Sequence, residues 1–179
     1  MEASEAHRYL PRIRELYRRH PGLTQALSCS YEEAAAVSLS RVHQPPTSFA
    51  VSASGRIASS YVQWNSPTDR EVRAWANATD RVEAAAYGVS LAAIEAEMDL
   101  FAIARARTLS GCDYYVAPAG NDDYLENAIR VEISGTESSI RGRISERVSR
   151  KAKQVHRQGE RSLVCVVSFG SLGIVLRSS

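Results

Sequence analysis

The order in which apolar patterns change period after residue 80 constrains this chain more than any single motif. A stripe at helical spacing comes first: Tyr87, Leu91, Ile94 and Met98. Three strand-length runs follow, LFAIARA at 100–106, DYYVAP at 113–118 and AIRVEIS at 128–134. A second helical stripe (Ile140, Ile144, Val148, Ala152 and Val155) lies in a helix expected over 139–158. SLVCVVSF (162–169) and GIVLRS (173–178) read as two closing strands. The order α-β-β-β-α-β-β predicts an α/β (α+β) fold, a central mixed sheet with a helix on each face. Asp80 followed by Glu83 resembles a capping box, which starts the first of these helices at residue 80 and ends it near 98.

Residues 1–79 read as an N-terminal extension to a core domain at 80–179, and as a possible docking segment for a protein partner. A basic helix is expected over 4–19, bent at Pro11, and a short second one over 31–42. HQPPTS (43–48) is a breaker and the expected internal boundary. Alternation on either side of a Ser-Gly turn predicts a hairpin across 48–64, closed by NSPTDREV.

Hydrophobic residues make up 44% of the chain and charged ones 23%, enough to bury a core. The net charge of +2 does not announce a nucleic-acid binder. Arginine outnumbers lysine 20 to two, so Lys151 and Lys153 stand out. Cys29, Cys112 and Cys165 are scattered and read as buried thiols, without zinc spacing. The opening MEASEAHRYLPRIREL lacks the apolar core of a signal peptide, and LVCVVSF is too short to span a bilayer. A soluble, cytoplasmic protein with no membrane contact is the expectation.

Within this frame two acids draw attention. Asp113 opens the second strand of the core and Glu132 lies late in the third. If those strands pair antiparallel, both carboxylates meet at one edge of the sheet. Such neighbours repel unless a cation, a proton or an arginine sits between them, and a divalent metal is the usual hard partner for oxygen ligands. Glu83 falls on the margin of its helix's core-facing side and adds a third acid. A plainer reading stays open, with Asp113 as a turn residue and Glu132 paired to an arginine. On the second helix, Lys151 lies roughly 20° from Ile140 on a wheel, turned inward with Arg147 and Gln154 beside it. Lys153 points nearly opposite. An inward lysine either snorkels or meets a buried acid. The helix and its end also carry Arg141, Arg143, Arg147, Arg150, Arg157 and Arg161 against Glu146 and Glu160. That run is either a solvated face or a set of phosphate contacts.

With those residues in place, the chain resembles the PD-(D/E)XK nuclease superfamily, the restriction-endonuclease-like fold, over about residues 80–170. The helix acid of that family would be Glu83 in DRVEAAAYGVSLAA, its strand Asp would be Asp113 in GCDYYVAP, and its Glu would be Glu132 in IRVEIS. The departure is Ser134, where the family usually has lysine. Some distant members bring the lysine from the following helix, and Lys151 in RKAKQV, accompanied by Gln154, matches that arrangement. The resemblance implies phosphodiester hydrolysis, with Asp113, Glu132 and the Ile133 carbonyl holding Mg2+ or Mn2+ and Glu83 serving a second ion or a metal-bound water. It implies DNA as the partner, with Arg143, Arg147, Arg150 and Arg157 on its phosphates. A defence or DNA-processing complex is the expected setting.

Two other functions stay open from the sequence. One is an inactive nuclease-like fold that binds nucleic acid or serves a structural role, consistent with the lost strand lysine. The other is a small interaction protein, such as an immunity or adaptor protein, with every acid paired to arginine. His7, His20, His43 and His156 have no metal spacing, and SGTESS and VSFGSLG are turns without a P-loop's Gly-Lys-Ser/Thr. Tyr114 and Tyr115 could stack on bases or pack in the core.

Overall fold

The computed structural model describes residues 8–121, 125–139, 141–155 and 161–178, with the backbone alone described at 126, 141–143, 154 and 155. Seven strands form one mixed sheet: β1 (Thr47–Ala53), β2 (Arg56–Val62), β3 (Phe101–Arg105), β4 (Tyr114–Ala117), β5 (Ile129–Thr136), β6 (Ser162–Ser168) and β7 (Gly173–Ser178). Their order across the sheet is β2-β1-β7-β6-β5-β4-β3. β3, β4 and β5 run as an antiparallel meander. β5 and β6 are parallel, joined by the helix α4 (Arg141–Val155), and β6 turns back antiparallel into β7. Every position of β6 is buried, as a strand covered on both faces requires.

The predicted element order from 80 onward is the observed one. The helix starts are not. α3 (Ala78–Met98) opens on Asn77, whose side chain accepts from the amides of Thr79 (2.9 Å) and Asp80 (3.4 Å), so the expected Asp80–Glu83 capping box does not form. The capping box in this chain is Thr68 with Glu71, and it opens α2 (Asp69–Ala74) inside a stretch read as a closing segment. α1 (Gln25–Ser40) starts six residues before the expected helix, capped by Thr24, and ends two before it.

The basic helix expected over 4–19 is also absent among the described residues. Leu10 donates to the Tyr61 carbonyl at 2.8 Å, laying this segment beside β2, and only Ile13–Arg18 winds, as a 3-10 turn. Pro11 is the physical reason, since it disfavours helical backbone at Leu10. His20, fully buried, ties the segment down: the Ala102 amide donates to Nδ1 and Nε2 reaches Glu95, each at 2.9 Å. Its role is structural.

The hairpin falls where alternation predicts, with Ser54 (φ 50°) and Gly55 (φ 77°) in its two-residue turn. Its strand β1 then pairs parallel with β7. α1 and α3 pack together on one sheet face along alanine-rich sides, so residues from both halves of the chain share the main core. α4 covers the other face with a smaller core of Ile144, Val148, Val164 and Val166.

That two-sided packing assigns the faces of β5. Val131 and Ile133 enter the main core, while Glu132 and Ser134 meet side chains of α4. The next residue, Gly135, sets how closely α3 crosses the strand. A Cβ there would lie 2.6 Å from the Val82 carbonyl oxygen and 2.9 Å from the Ala86 Cβ. Gly135→Ala is therefore expected to lower stability by about 1–3 kcal/mol through overpacking, measured as a shifted urea midpoint. An unchanged midpoint would show that this crossing is not tight.

Candidate active site

β4 and β5 put the two acids side by side. Tyr114 pairs with Val131 at the end of the ladder, and Asp113 sits just beyond it, near enough for its charge to be felt at Glu132. The Asp113 amide donates to the Val131 carbonyl at 2.8 Å, and its own carbonyl accepts from Ala106 at 2.9 Å, which fixes the backbone at the strand entrance. Its carboxylate accepts from the Ile133 amide at 2.7 Å and from the Tyr87 hydroxyl at 3.1 Å. Since β4 begins at Tyr114, no strand covers β5 on this side beyond that point, and the Ile133 peptide edge opens onto the site.

Tyr87 joins the third acid to the cluster. One helical turn after Glu83, it places its hydroxyl 2.6 Å from the Glu83 carboxylate while also reaching Asp113. Its ring is held from behind. The Arg105 guanidinium lies 4.9 Å from its centroid and 5.7 Å from that of Tyr114, and it donates to the Tyr31 hydroxyl at 3.1 Å. Tyr31 and Tyr114 share a 2.5 Å hydrogen bond. Burial pushes the Tyr87 and Tyr114 hydroxyls up, so both stay protonated. Tyr114 is fully buried, which makes it a core residue and not a base-stacking one.

Glu132 is only 4% exposed, and Lys151 on α4 hydrogen-bonds to it as an ion pair. The helical wheel placed Lys151 inward, and it is; Lys153 is exposed. Burial raises the pKa of Glu132, Lys151 opposes that rise, and the neighbouring charge of Asp113 adds to it. Burial raises the pKa of Asp113 as well, against the Ile133 amide, the Tyr87 hydroxyl and Lys151.

A cavity of about 430 Å³ opens over this cluster, lined among others by Glu83, Tyr87, Asp113, Ile133, Arg147 and Lys151. Glu132 is not in its wall; Lys151, which is, pairs with it. Arg147 donates from one nitrogen to the Ser134 hydroxyl (2.9 Å) and the Gly135 carbonyl (3.2 Å). Arg150 is exposed on the same helix. The side chains of Gln154 and Arg143, and all of Arg157, lie outside the described residues. Tyr87, Arg105, Gly135 and the Arg147–Ser134 contact were not foreseen as parts of the site. Their one sequence signal was a tyrosine in an otherwise aliphatic stripe, four residues after an acid.

The donor set suits a hard divalent cation in kind: the charge of Asp113 raises the pKa of Glu132, that of Glu83 raises the pKa of Asp113, and a strand edge offers a backbone carbonyl. Mg2+ in particular is commonly held by one or two carboxylates with water completing its shell. Among the described residues, no three His, Cys, Asp or Glu side chains are gathered into a ready-made cage.

No protein-family model matches the chain, and no curated protein or solved structure is similar to it. Among the described residues no helix is long and apolar enough to cross a membrane. What the site does has to be read from its own chemistry.

That chemistry leaves a mark on stability. A carboxyl whose pKa is raised by folding binds its proton more tightly in the native state, so it subtracts stability as pH rises above its ordinary value near 4. Asp113→Asn should therefore raise Tm at pH 7, by roughly 2–4 °C for each 1 kcal/mol relieved, and leave it unchanged near pH 3. A lower Tm at pH 7 would mean that the carboxylate is stabilising where it sits.

Proposed function

We propose that the protein is a divalent-metal-dependent nuclease that hydrolyses phosphodiester bonds in DNA. One observation carries the reading: Glu83, Asp113 and the inward Lys151, from α3, the start of β4 and α4, line one cavity, and Lys151 pairs there with Glu132 of β5, which lies outside its wall. They are the residues that the resemblance to PD-(D/E)XK nucleases would require, with the lysine displaced to the helix.

In this reading Asp113, the Ile133 carbonyl and Glu132 hold Mg2+ or Mn2+, with Glu83 on the far side of Tyr87. A bound cation there would lower the pKa of a water and screen charge building on phosphorus. Lys151 is the counter-ion of Glu132 and already lines the cavity, so a cation held by Glu132 would take over that pairing and leave the ammonium to the cavity. There it steadies the charge on the phosphate being attacked. Tyr87 and the Ile133 amide hold Asp113 in one rotamer through the reaction. Residues 1–79, which this reading takes as a docking segment in a DNA-processing or defence setting, contribute only Ala78 and Thr79 to the cavity wall among the described residues.

The second reading is a nuclease-like fold without activity that binds nucleic acid or scaffolds a complex. Its support is that Asp113, Glu132 and Glu83 each already have a protein hydrogen-bond partner. Cleavage of single- and double-stranded DNA with Mg2+ or Mn2+ separates the two. The nuclease reading expects Asp113→Ala and Glu132→Ala to fall to the assay floor while remaining folded by circular dichroism. Lys151→Ala should lose about 10²–10³-fold, the size of one missing charge stabiliser, and Lys153→Ala almost nothing. Ser134→Lys placed on the Lys151→Ala background should recover part of the loss. Inactive wild type across metals and strands would sink the enzyme reading, and equal effects of the two lysines would remove Lys151 as the substitute for the strand lysine.

A further inference from the structure

Ser134 stands where the resemblance expects a lysine, and it is engaged. Its hydroxyl and the Gly135 carbonyl take the same Arg147 nitrogen, so two neutral oxygens orient the guanidinium without neutralising it. Among the described residues no carboxylate forms an ion pair with Arg147. The rest of its fork faces two cavities, because Arg147 lines both the 430 Å³ site cavity and a second one of about 330 Å³. The second is walled by Thr136, Ser138, Glu146, Arg147 and Arg150. One acid opposes two arginines there, and Glu137 at the rim of the first cavity is spoken for by Arg81 at 2.9 Å.

A ligand that reaches Arg147 from both cavities can present two anionic groups in series, with a planar guanidinium between them. A nucleic-acid backbone does this with consecutive phosphates, whose oxygens match the fork of an arginine. We propose that the second cavity is a subsite for the backbone phosphate next to the one attacked, that Arg147 spans the two, and that Ser134 is the positioning residue for Arg147. The identity of the attacked phosphate rests on the nuclease reading; the backbone subsite is tested without it.

The test is fluorescence anisotropy with a labelled oligonucleotide in EDTA, so that no cleavage intervenes, over a range of salt concentrations. Arg147→Ala and Arg150→Ala should each weaken binding about tenfold or more, as loss of one charge-assisted hydrogen bond does. Each should also flatten the slope of log K against log salt by about 0.9 on duplex or 0.7 on single strands. Glu146→Gln should tighten binding. Ser134→Ala should give part of the Arg147 loss and add nothing on the Arg147→Ala background, a coupling that a merely structural serine would not show. Arg56→Ala, in β2 at the far edge of the sheet, should change neither affinity nor slope.

Wild type that fails to bind oligonucleotide, Arg147 and Arg150 variants with the wild-type slope, or equal loss from Arg56→Ala would overturn the subsite. So would an acidic peptide of matched charge that competes as well as DNA. Binding with these slopes but no cleavage with Mg2+ or Mn2+ would keep the subsite and remove the nuclease reading. Cleavage with unchanged slopes would do the reverse.

Discussion

A carboxylate buried on the face of a central strand has to be neutralised, and Glu132 finds its counter-ion on the very helix that follows its strand. The β5–α4–β6 crossover lays α4 against the sheet face that Glu132 and Ser134 share. Removing one member of such a pair typically costs about 3–5 kcal/mol, because the other is left charged and buried. Ile144 and Val148 supply the apolar grip and Lys151 the charge, so the packing of the helix and the chemistry of the site are one constraint. The same helix, one turn earlier, brings Arg147 to Ser134.

On the opposite side of the sheet the constraint is steric. Gly135 lets α3 cross β5 at close range, and that approach carries Glu83 and Tyr87 to the strand entrance where Asp113 sits. The single Tyr87 hydroxyl proton then lies within reach of both acids, closer to Glu83, and the ring is backed by a tyrosine–arginine cluster inside the core. Acids buried this way are costly when charged, and the raised pKa values of Asp113 and Glu132 express that cost. Perturbed carboxyls of this kind collect where proteins bind and react, which is the site's own support for a catalytic proposal.

Much of this was legible in the chain. Hydrophobic period fixed the order of elements after residue 80, since runs of five to eight apolar residues and long helical stripes are hard to confuse. The nearness of Asp113 to Glu132 followed from the antiparallel meander, and the inward turn of Lys151 from simple helix geometry. Helix starts were less legible, because any short polar side chain can cap: Asn77 and Thr68 took roles that Asp80 appeared better spaced for. The N-terminal segment read as a helix from its charge pattern, but Pro11 and a pairing with Tyr61 across fifty residues made it extended. Tyr87 was counted as apolar because a sequence stripe shows a ring and hides where its hydroxyl ends. The Arg147–Ser134 contact was hidden for a similar reason, since it depends on which turn of α4 lands on which residue of β5.

The central claim is that Asp113 and Glu132 together bind a divalent cation that displaces Lys151. Electron paramagnetic resonance of free Mn2+ during a titration reports that binding directly, with or without catalysis. Wild type should take up Mn2+ saturably, Glu132→Gln and Asp113→Asn should lose that uptake, and Lys151→Gln should bind more tightly than wild type because no ammonium competes. Wild type that leaves all Mn2+ free, or uptake that survives both acid substitutions, would contradict the account.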